Sequence, residues 1–213
     1  MRKYIYLLIL VVFTVSSIYA SGKPYVLLVS YDGFRWDYLN RGITPALETI
    51  RQNGVSALSL RPAFPSKTFP NHQSIITGMY IENHGIISNN FEDRFNGTTY
   101  GMKDTVSIRD GRWYLGEAFW ETADRNGIKT ASYFWPGSEM SLDYRRPTYS
   151  EKYDHWRPYK KKVDGVMNWL QLPQEKRPHF ITLYFHETDT YAHEYGTNYE
   201  QTKNAIMKID TVT

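Results

Sequence analysis

The run Tyr25-Val26-Leu27-Leu28-Val29-Ser30-Tyr31 is apolar at nearly every position and stops abruptly at Asp32-Gly33. A strand with one solvated face alternates apolar and polar residues, so a run this continuous predicts a strand covered on both faces, as in parallel sheets sandwiched by helices. Phe180 to Phe185 is a second such run. Between them, apolar β-rich runs alternate with amphipathic stretches that carry helix punctuation. That alternation predicts an α/β fold with a mostly parallel central sheet and helices on both faces. At 213 residues and 41% hydrophobic content, the chain can bury one sizeable core and is too short for two comfortable domains.

Punctuation sets the expected elements. Thr44-Pro45 supplies an N-cap and a first-turn proline for a helix to about Asn53, stopped by Gly54. Val55 to Leu60 reads as a strand, after which Pro62 and Pro65 force an irregular passage into Ser66-Lys67-Thr68. A helix is expected from about Asn71 to Gly78, another from Leu115 to Asn126 closed by Gly127, and a strand from Lys129 to Trp135. Ser138 to Pro158, rich in Tyr, Arg and Pro, has no period and reads as a long excursion. Val163 to Leu170 and Tyr199 to Ile209 read as helices.

The first residues look like an export leader. Arg2 and Lys3 precede an apolar run from Tyr4 to Val15, then small residues lead to Ala20, a plausible cleavage point that leaves 21–213 as one domain. The run falls short of the roughly 20 residues that cross a bilayer, so a cleaved leader is expected over a retained anchor and no membrane span remains after it. The chain contains no cysteine, which excludes disulfides, thiolate ligands and a lipid-modified cysteine. These features point to an exported protein, in a bacterial periplasm or secreted. A net charge of +3 with no basic cluster beyond Lys160-Lys161-Lys162 argues against a nucleic-acid-binding surface. Those three lysines read as a solvated helix face.

The chemistry concentrates in a few residues. Asp32 and Asp189 each follow a buried strand, and ligand sites of open α/β sheets lie at that carboxyl edge. A lone Asp there is an ordinary turn or cap residue, but a pair of carboxylates with His193 four residues beyond Asp189 can aim at one ion, with ligand atoms at about 2.0–2.2 Å from zinc. Helix-entry Asp and unrelated surface His remains the plain alternative. Thr68 in Thr68-Phe69-Pro70-Asn71-His72 sits at a helix entry, where free N–H groups favour a phosphate; it could equally be only a cap. A threonine hydroxyl is a poor nucleophile without a base or a metal ion. Asn89 is a neutral donor suited to a phosphoryl oxygen, or a turn residue. His72 and His84 are candidates for support or structure. His155, His179 and His186 read as packing or surface residues, with Asp154-His155 a false lead.

Several motifs in order carry a family resemblance: Val29-Ser30-Tyr31-Asp32-Gly33-Phe34-Arg35, Thr68 to His72, His84-Gly85-Ile86-Ile87-Ser88-Asn89, Phe134-Trp135-Pro136-Gly137-Ser138, and Asp189 with His193. The chain resembles the nucleotide pyrophosphatase/phosphodiesterase family of the alkaline phosphatase superfamily over nearly all of its length after the leader. The resemblance implies an alkaline-phosphatase-like α/β fold and a hydrolase with two zinc ions that cleaves nucleotide phosphodiester or pyrophosphate bonds. It implies Thr68 as nucleophile, Asp32 and Thr68 on one zinc, Asp189 and His193 on the other, Asn89 at the phosphoryl oxygen, and Phe69 and Tyr153 on either side of a base. Where the family has Pro-Asp and Gly-His, this chain has Thr188-Asp189 and Ala192-His193, which removes no donor atom. The family draws three further ligands from sequence beyond the equivalent of Thr213, so the expectation is an N-terminal portion lacking the C-terminal part of the domain, with weak metal binding and little turnover by itself. A phosphomonoesterase or phospholipid-type phosphodiesterase on the same metal core, and a non-catalytic metal- or nucleotide-binding fragment, are the alternatives.

Overall fold

The computed structural model describes residues 23–213, so the leader expected over 1–20 lies outside the described residues. Along the chain come β1 (Val26–Tyr31), α1 (Pro45–Asn53), α2 (Thr68–Thr77), α3 (Ile81–His84), β2 (Asn90–Asp93), β3 (Thr98–Gly101), α4 (Phe119–Arg125) and β4 (Thr130–Tyr133). There follow β5 (Tyr149–Glu151), α5 (Tyr159–Leu170), β6 (Phe180–Phe185), α6 (Glu187–Tyr195) and α7 (Glu200–Asp210). β1, β6, β4 and β5 form a parallel sheet in that order, while β2 and β3 pair as a separate antiparallel hairpin. No helix among the described residues is long and apolar enough to cross a membrane.

Period-two alternation divides the sheet into two unlike faces. One carries Val29, Tyr31, Ala131, Tyr133, Ile181, Leu183 and Phe185, packed against Val163 and Val166 of α5 and Ile209 of α7. The other carries Leu28 and Phe180 against Ile75 and Ile76 of α2 and Trp120 of α4. Ser30, Ser132 and Thr182 also occupy this second face, and the Thr182 hydroxyl donates to Ser132 at 2.9 Å. Burying side chains such as Ile76, Ile206 or Ile209 contributes about 1.5–3 kcal/mol each.

Several boundaries differ from the sequence expectation, each for a local reason. α2 begins at Thr68, not near Asn71, because Pro70 lies in the first turn, where its missing N–H has no partner to lose. It ends as expected at Gly78, whose φ of 69° suits glycine and whose N–H reaches Ser74. α4 is shorter than Leu115–Asn126. The Leu115 N–H is committed to the His84 carbonyl, and Glu121 captures the Ala118 N–H at 3.0 Å, fixing the helix entry there.

Val55 to Leu60 is not a strand, and Val55, Leu58 and Leu60 are 104%, 96% and 81% exposed. Strand propensity reports a fit to a pleated, half-buried surface, and no described strand lies alongside to provide one. β1 is likewise covered less completely than its composition implies: it is an edge strand, with Val26 and Leu27 half exposed. The excursion from Ser138 to Pro158 contains the short edge strand β5. Lys162 corrects the reading of Lys160 to Lys162 as solvated, because it is fully buried on the inner side of α5.

The N-terminus of α1 is capped through tertiary contact. Thr44 stands at the N-cap but makes no side-chain cap bond. Buried Asp210, at the end of α7, accepts from Ala46 N–H at 3.1 Å and Leu47 N–H at 2.8 Å instead. A carboxylate on two free helix N–H groups also meets the positive end of the helix dipole. Asp210→Ala is expected to lower unfolding free energy by about 2–3 kcal/mol, read from urea denaturation; a loss under about 0.5 kcal/mol would show that water replaces the carboxylate.

Candidate functional site

Parallel pairing of β1 and β6, with Tyr31 opposite Phe185, makes both strands leave the sheet at one edge. Asp32 follows the first, and α6, which carries Asp189 and His193, follows the second. Three contacts join them. The Tyr184 hydroxyl donates to Asp32 Oδ2 at 2.7 Å, and the Thr188 hydroxyl donates to the Asp32 carbonyl. Gly33, at φ 66°, lies so close that an added Cβ would sit 2.6 Å from the Asp189 Cα. Glycine is therefore required there for both conformation and space.

His193 Nε2 stands 3.4 Å from Asp189 Oδ1, one helical turn away. Burial first, then the Asp32 charge, raises the Asp189 carboxyl above its usual range, with His193 and Lys67 pulling it down. The structure thus brings Asp32, Asp189 and His193 to one edge as two mutually repelling carboxylates and an imidazole. Among the described residues, no three His, Asp or Glu side chains converge tightly enough to hold an ion by themselves.

Thr68 is the first residue of α2, half-buried. Its position is fixed through His72, whose Nδ1–H donates to the Thr68 carbonyl at 2.7 Å. A carbonyl can only accept, so Nε2 is the acceptor, and it meets the Ser30 hydroxyl at 2.8 Å. Burial holds His72 below the ordinary imidazole range despite nearby Asp32, keeping it neutral. Phe69 N–H donates to Asn89 Oδ1 at 2.9 Å, so this amide is not free for an anion as the helix-entry argument assumed. The bond instead orients the Asn89 carboxamide and leaves its NH2 group to donate.

Asn89 is anchored by a hairpin absent from the sequence reading: its carbonyl accepts from Met102 N–H at 2.8 Å, just beyond β3. The signal was present. Asn96-Gly97 sits in the β2–β3 loop with Gly97 at φ 68°, a turn dipeptide between two β-capable runs.

The aromatic residues divide. Phe69 packs edge-on to Tyr100 at 6.2 Å, whereas Tyr153, 40% exposed, packs on Phe134 at 5.3 Å. The Tyr153 hydroxyl also shares a hydrogen bond with His155 Nδ1 at 3.2 Å, and His155 stacks on His186 at 4.2 Å, so His155 packs with these aromatic rings. Burial, then the charges of Glu187, Asp32 and Asp154, pushes the Tyr153 hydroxyl up to about 12. His84 is structural: Ile86 N–H donates to its Nδ1 at 3.2 Å and its other nitrogen reaches Ser74 at 3.0 Å. His179 stacks on Tyr25 at the opposite end of the sheet.

An α/β domain with two carboxylates and an imidazole at the carboxyl edge of its sheet places its candidate ligand groups where open α/β sheets carry their binding sites. Residues 26–213 match the model of the type I phosphodiesterase / nucleotide pyrophosphatase family, and the chain belongs to that family. It is 38% identical over 189 residues to human ectonucleotide pyrophosphatase/phosphodiesterase family member 1, covering 88% of this chain and 20% of that protein. A pyrophosphatase/phosphodiesterase of Schizosaccharomyces pombe is 38% identical over 188 residues, 88% of this chain and 39% of the relative. A venom phosphodiesterase of Crotalus durissus collilineatus is 40% identical over 173 residues, 80% and 21% respectively. The fold superimposes with a TM-score of 0.83 on murine ectonucleotide pyrophosphatase / phosphodiesterase 5, an inactive threonine-to-alanine variant in complex with AMP, at 29% identity over 89% of this chain and 50% of that one. The alkaline-phosphatase-like α/β architecture is therefore established, and the chain spans a fifth to a half of the length of these relatives.

His186 generates a pH prediction. Burial, then the Lys162 cation and His155, lowers it to about 3 from the ordinary 6.5. The unfolded chain therefore takes up the proton first, so stability is retained above pH 6.5 and declines as pH falls from 6.5 toward 3. Urea midpoints measured across that interval are expected to fall less steeply for His186→Gln than for the parent chain.

Proposed function

We propose that the chain carries the nucleophile side of a zinc-dependent centre that hydrolyses nucleotide phosphodiester or pyrophosphate bonds and releases nucleoside monophosphate. One observation carries this reading: Thr68 opens α2 beside an Asn89 carboxamide oriented by the next residue's N–H, while neighbouring Lys67 acts on Asp189 across the carboxylate edge. The inactive threonine-to-alanine variant of the murine relative, with AMP bound, supports a threonine nucleophile and a nucleotide substrate here.

Asp32 and Asp189 repel each other and, with His193, offer hard oxygen and nitrogen donors, a set suited to divalent zinc. Asp32, Thr68, Asp189 and His193 would hold it, with two ions in a complete site. When bound, zinc supplies Lewis-acid polarisation of the phosphoryl oxygen and a lowered pKa for the attacking hydroxyl.

The chain's own residues do the rest. Thr68 Oγ forms a bond to phosphorus as the bond to the leaving oxygen breaks; that oxygen keeps the electron pair, and the hydroxyl proton passes to solvent. Water then attacks the nucleotidyl-threonine, Thr68 Oγ departs with its electron pair and regains a proton, and nucleoside monophosphate leaves. The Asn89 NH2 group donates to the phosphoryl oxygen as negative charge builds there. Neutral His72 holds the Thr68 backbone without adding charge. Phe69 and Tyr153 offer faces on which any base can stack. The leader-like residues 1–20 support placing this activity outside the cytoplasm, in a periplasm or secreted.

In zinc-supplemented buffer, the protein containing this chain is expected to hydrolyse bis(nitrophenyl) phosphate faster than nitrophenyl phosphate. Thr68→Ala is expected to lower turnover at least about a thousandfold while retaining AMP binding. A monoester preference would favour the phosphomonoesterase alternative, and zinc binding without turnover of either ester would favour a non-catalytic binding fragment.

A further inference from the structure

The most unusual buried group among the described residues lies outside this set. Lys162 of α5 is fully buried and donates to Glu187 Oε1 at 2.6 Å. Its ammonium is enclosed by the rings of Phe185, Phe134 and Tyr159, with centroids at 5.0, 5.8 and 5.9 Å. Glu187 is the first residue of α6, and the next residue, Thr188, is bonded to the Asp32 carbonyl. The first turn of the helix bearing Asp189 and His193 is therefore gripped from α5 on one side and from the loop after β1 on the other.

A stability role alone does not account for this arrangement. Glu187 Oε2 and His186 Nδ1 are buried 3.9 Å apart, and neither has a hydrogen-bond partner. A buried ion pair with unsatisfied atoms is a poor stabiliser, and apolar residues of similar volume often serve the fold as well or better. What apolar contact cannot supply is direction. A charge-assisted bond between two immobilised side chains adds a directional constraint on helix rotation to that of packing. Phe134 adds a second sign of constraint: among the described residues it is the one non-glycine at positive φ, 70°, and its ring centroid lies 5.8 Å from the Lys162 ammonium and 5.3 Å from the Tyr153 ring.

We propose that the Lys162–Glu187 pair is a positioning clamp that fixes the first turn of α6, and through it the placement of Asp189 and His193 against Asp32. The role given to Asp189 and His193 rests on the proposed zinc site, whereas the clamp itself concerns only the protein. Neither clamp residue touches substrate.

The test is Lys162→Met/Glu187→Leu alongside each single substitution, in metal-free protein. Each single change strands one buried partner and is expected to lower the urea midpoint; the double change is expected to recover most of that loss. At recovered stability, amides of α6 are expected to exchange at least about tenfold faster than in the parent, with α5 and β6 unchanged. Lys162→Arg, which keeps the charge pair, is expected to leave α6 exchange at the parental rate. Parental exchange in the folded double variant would overturn the clamp, as would accelerated exchange in Lys162→Arg. Should the apolar pair not fold, Lys162→Gln/Glu187→Gln carries the same comparison. A Co2+ titration separates the two proposals. Parent protein that binds no Co2+ counts against the zinc site while exchange still decides the clamp, and a parent that binds is expected to lose about tenfold or more in affinity in the double variant.

Discussion

The parallel register of β1 on β6 is the constraint from which the rest of the site follows. With Tyr31 opposite Phe185, the next residues of both strands leave the sheet together, and Asp32 emerges beside the entry to α6. A slip of one residue would exchange the two faces of β1, sending Val29 and Tyr31 into the polar stripe and Ser30 into the apolar layer. Because burial penalises that exchange at several positions at once, the register is held by packing of the strand itself and not by the carboxylates. Gly33 then permits the close approach to Asp189 that a side chain would block.

The two sheet faces divide the work. The face toward α5 and α7 is an apolar layer broken by the buried Lys162 ammonium beside Phe185. On the other face, small polar residues at Ser30, Ser132 and Thr182 leave room for the His72 ring, which packs edge-on to Trp135 and Tyr184 at 5.0 Å each. His72 links α2 to β1, and Tyr184 links β6 to Asp32. Thr68 and Asp32 are thereby tied to one rigid layer through neutral groups. The layer orients the acidic edge without adding another charge to it.

How much of this was legible in the sequence depended on whether local pattern or tertiary company decides each residue. Phe180–Phe185 and Pro45–Asn53 match their expected bounds because continuous apolarity in one, and proline and glycine punctuation in the other, are local causes. Val55 to Leu60 has a strand's composition but no described neighbour, and pairing is a property of two segments. Lys162 misled for the opposite reason. Flanked by Lys160 and Lys161, it looked solvated, yet α5 turns it inward to a glutamate 25 positions away that no local pattern announces. In the proposed site, Asp32, Thr68, Asn89, Asp189 and His193 could be singled out because their residue types and order carry the motif. His72 could be marked as a support candidate from its motif, but its contact with Ser30 across 42 positions, and those of Tyr184 and Lys162 across 152 and 25, are not encoded in composition and period.

Charge accounting across this edge gives the zinc reading its physical basis. Asp32 acts on the Asp189 carboxyl, and Glu187, two residues before Asp189, already holds Lys162 at 2.6 Å. Lys67 and His193 are the remaining groups whose charge lowers the Asp189 carboxyl, and burial together with Asp32 outweighs them. A carboxylate held above its ordinary range beside a second carboxylate is a site whose protein charges do not balance, and a divalent cation would resolve the repulsion directly. The same imbalance makes Asp189 a costly choice for a helix-entry residue placed for stability alone. An N-terminal carboxylate serves a helix dipole best when it stays ionised at little cost, and the neighbouring Asp32 raises that cost.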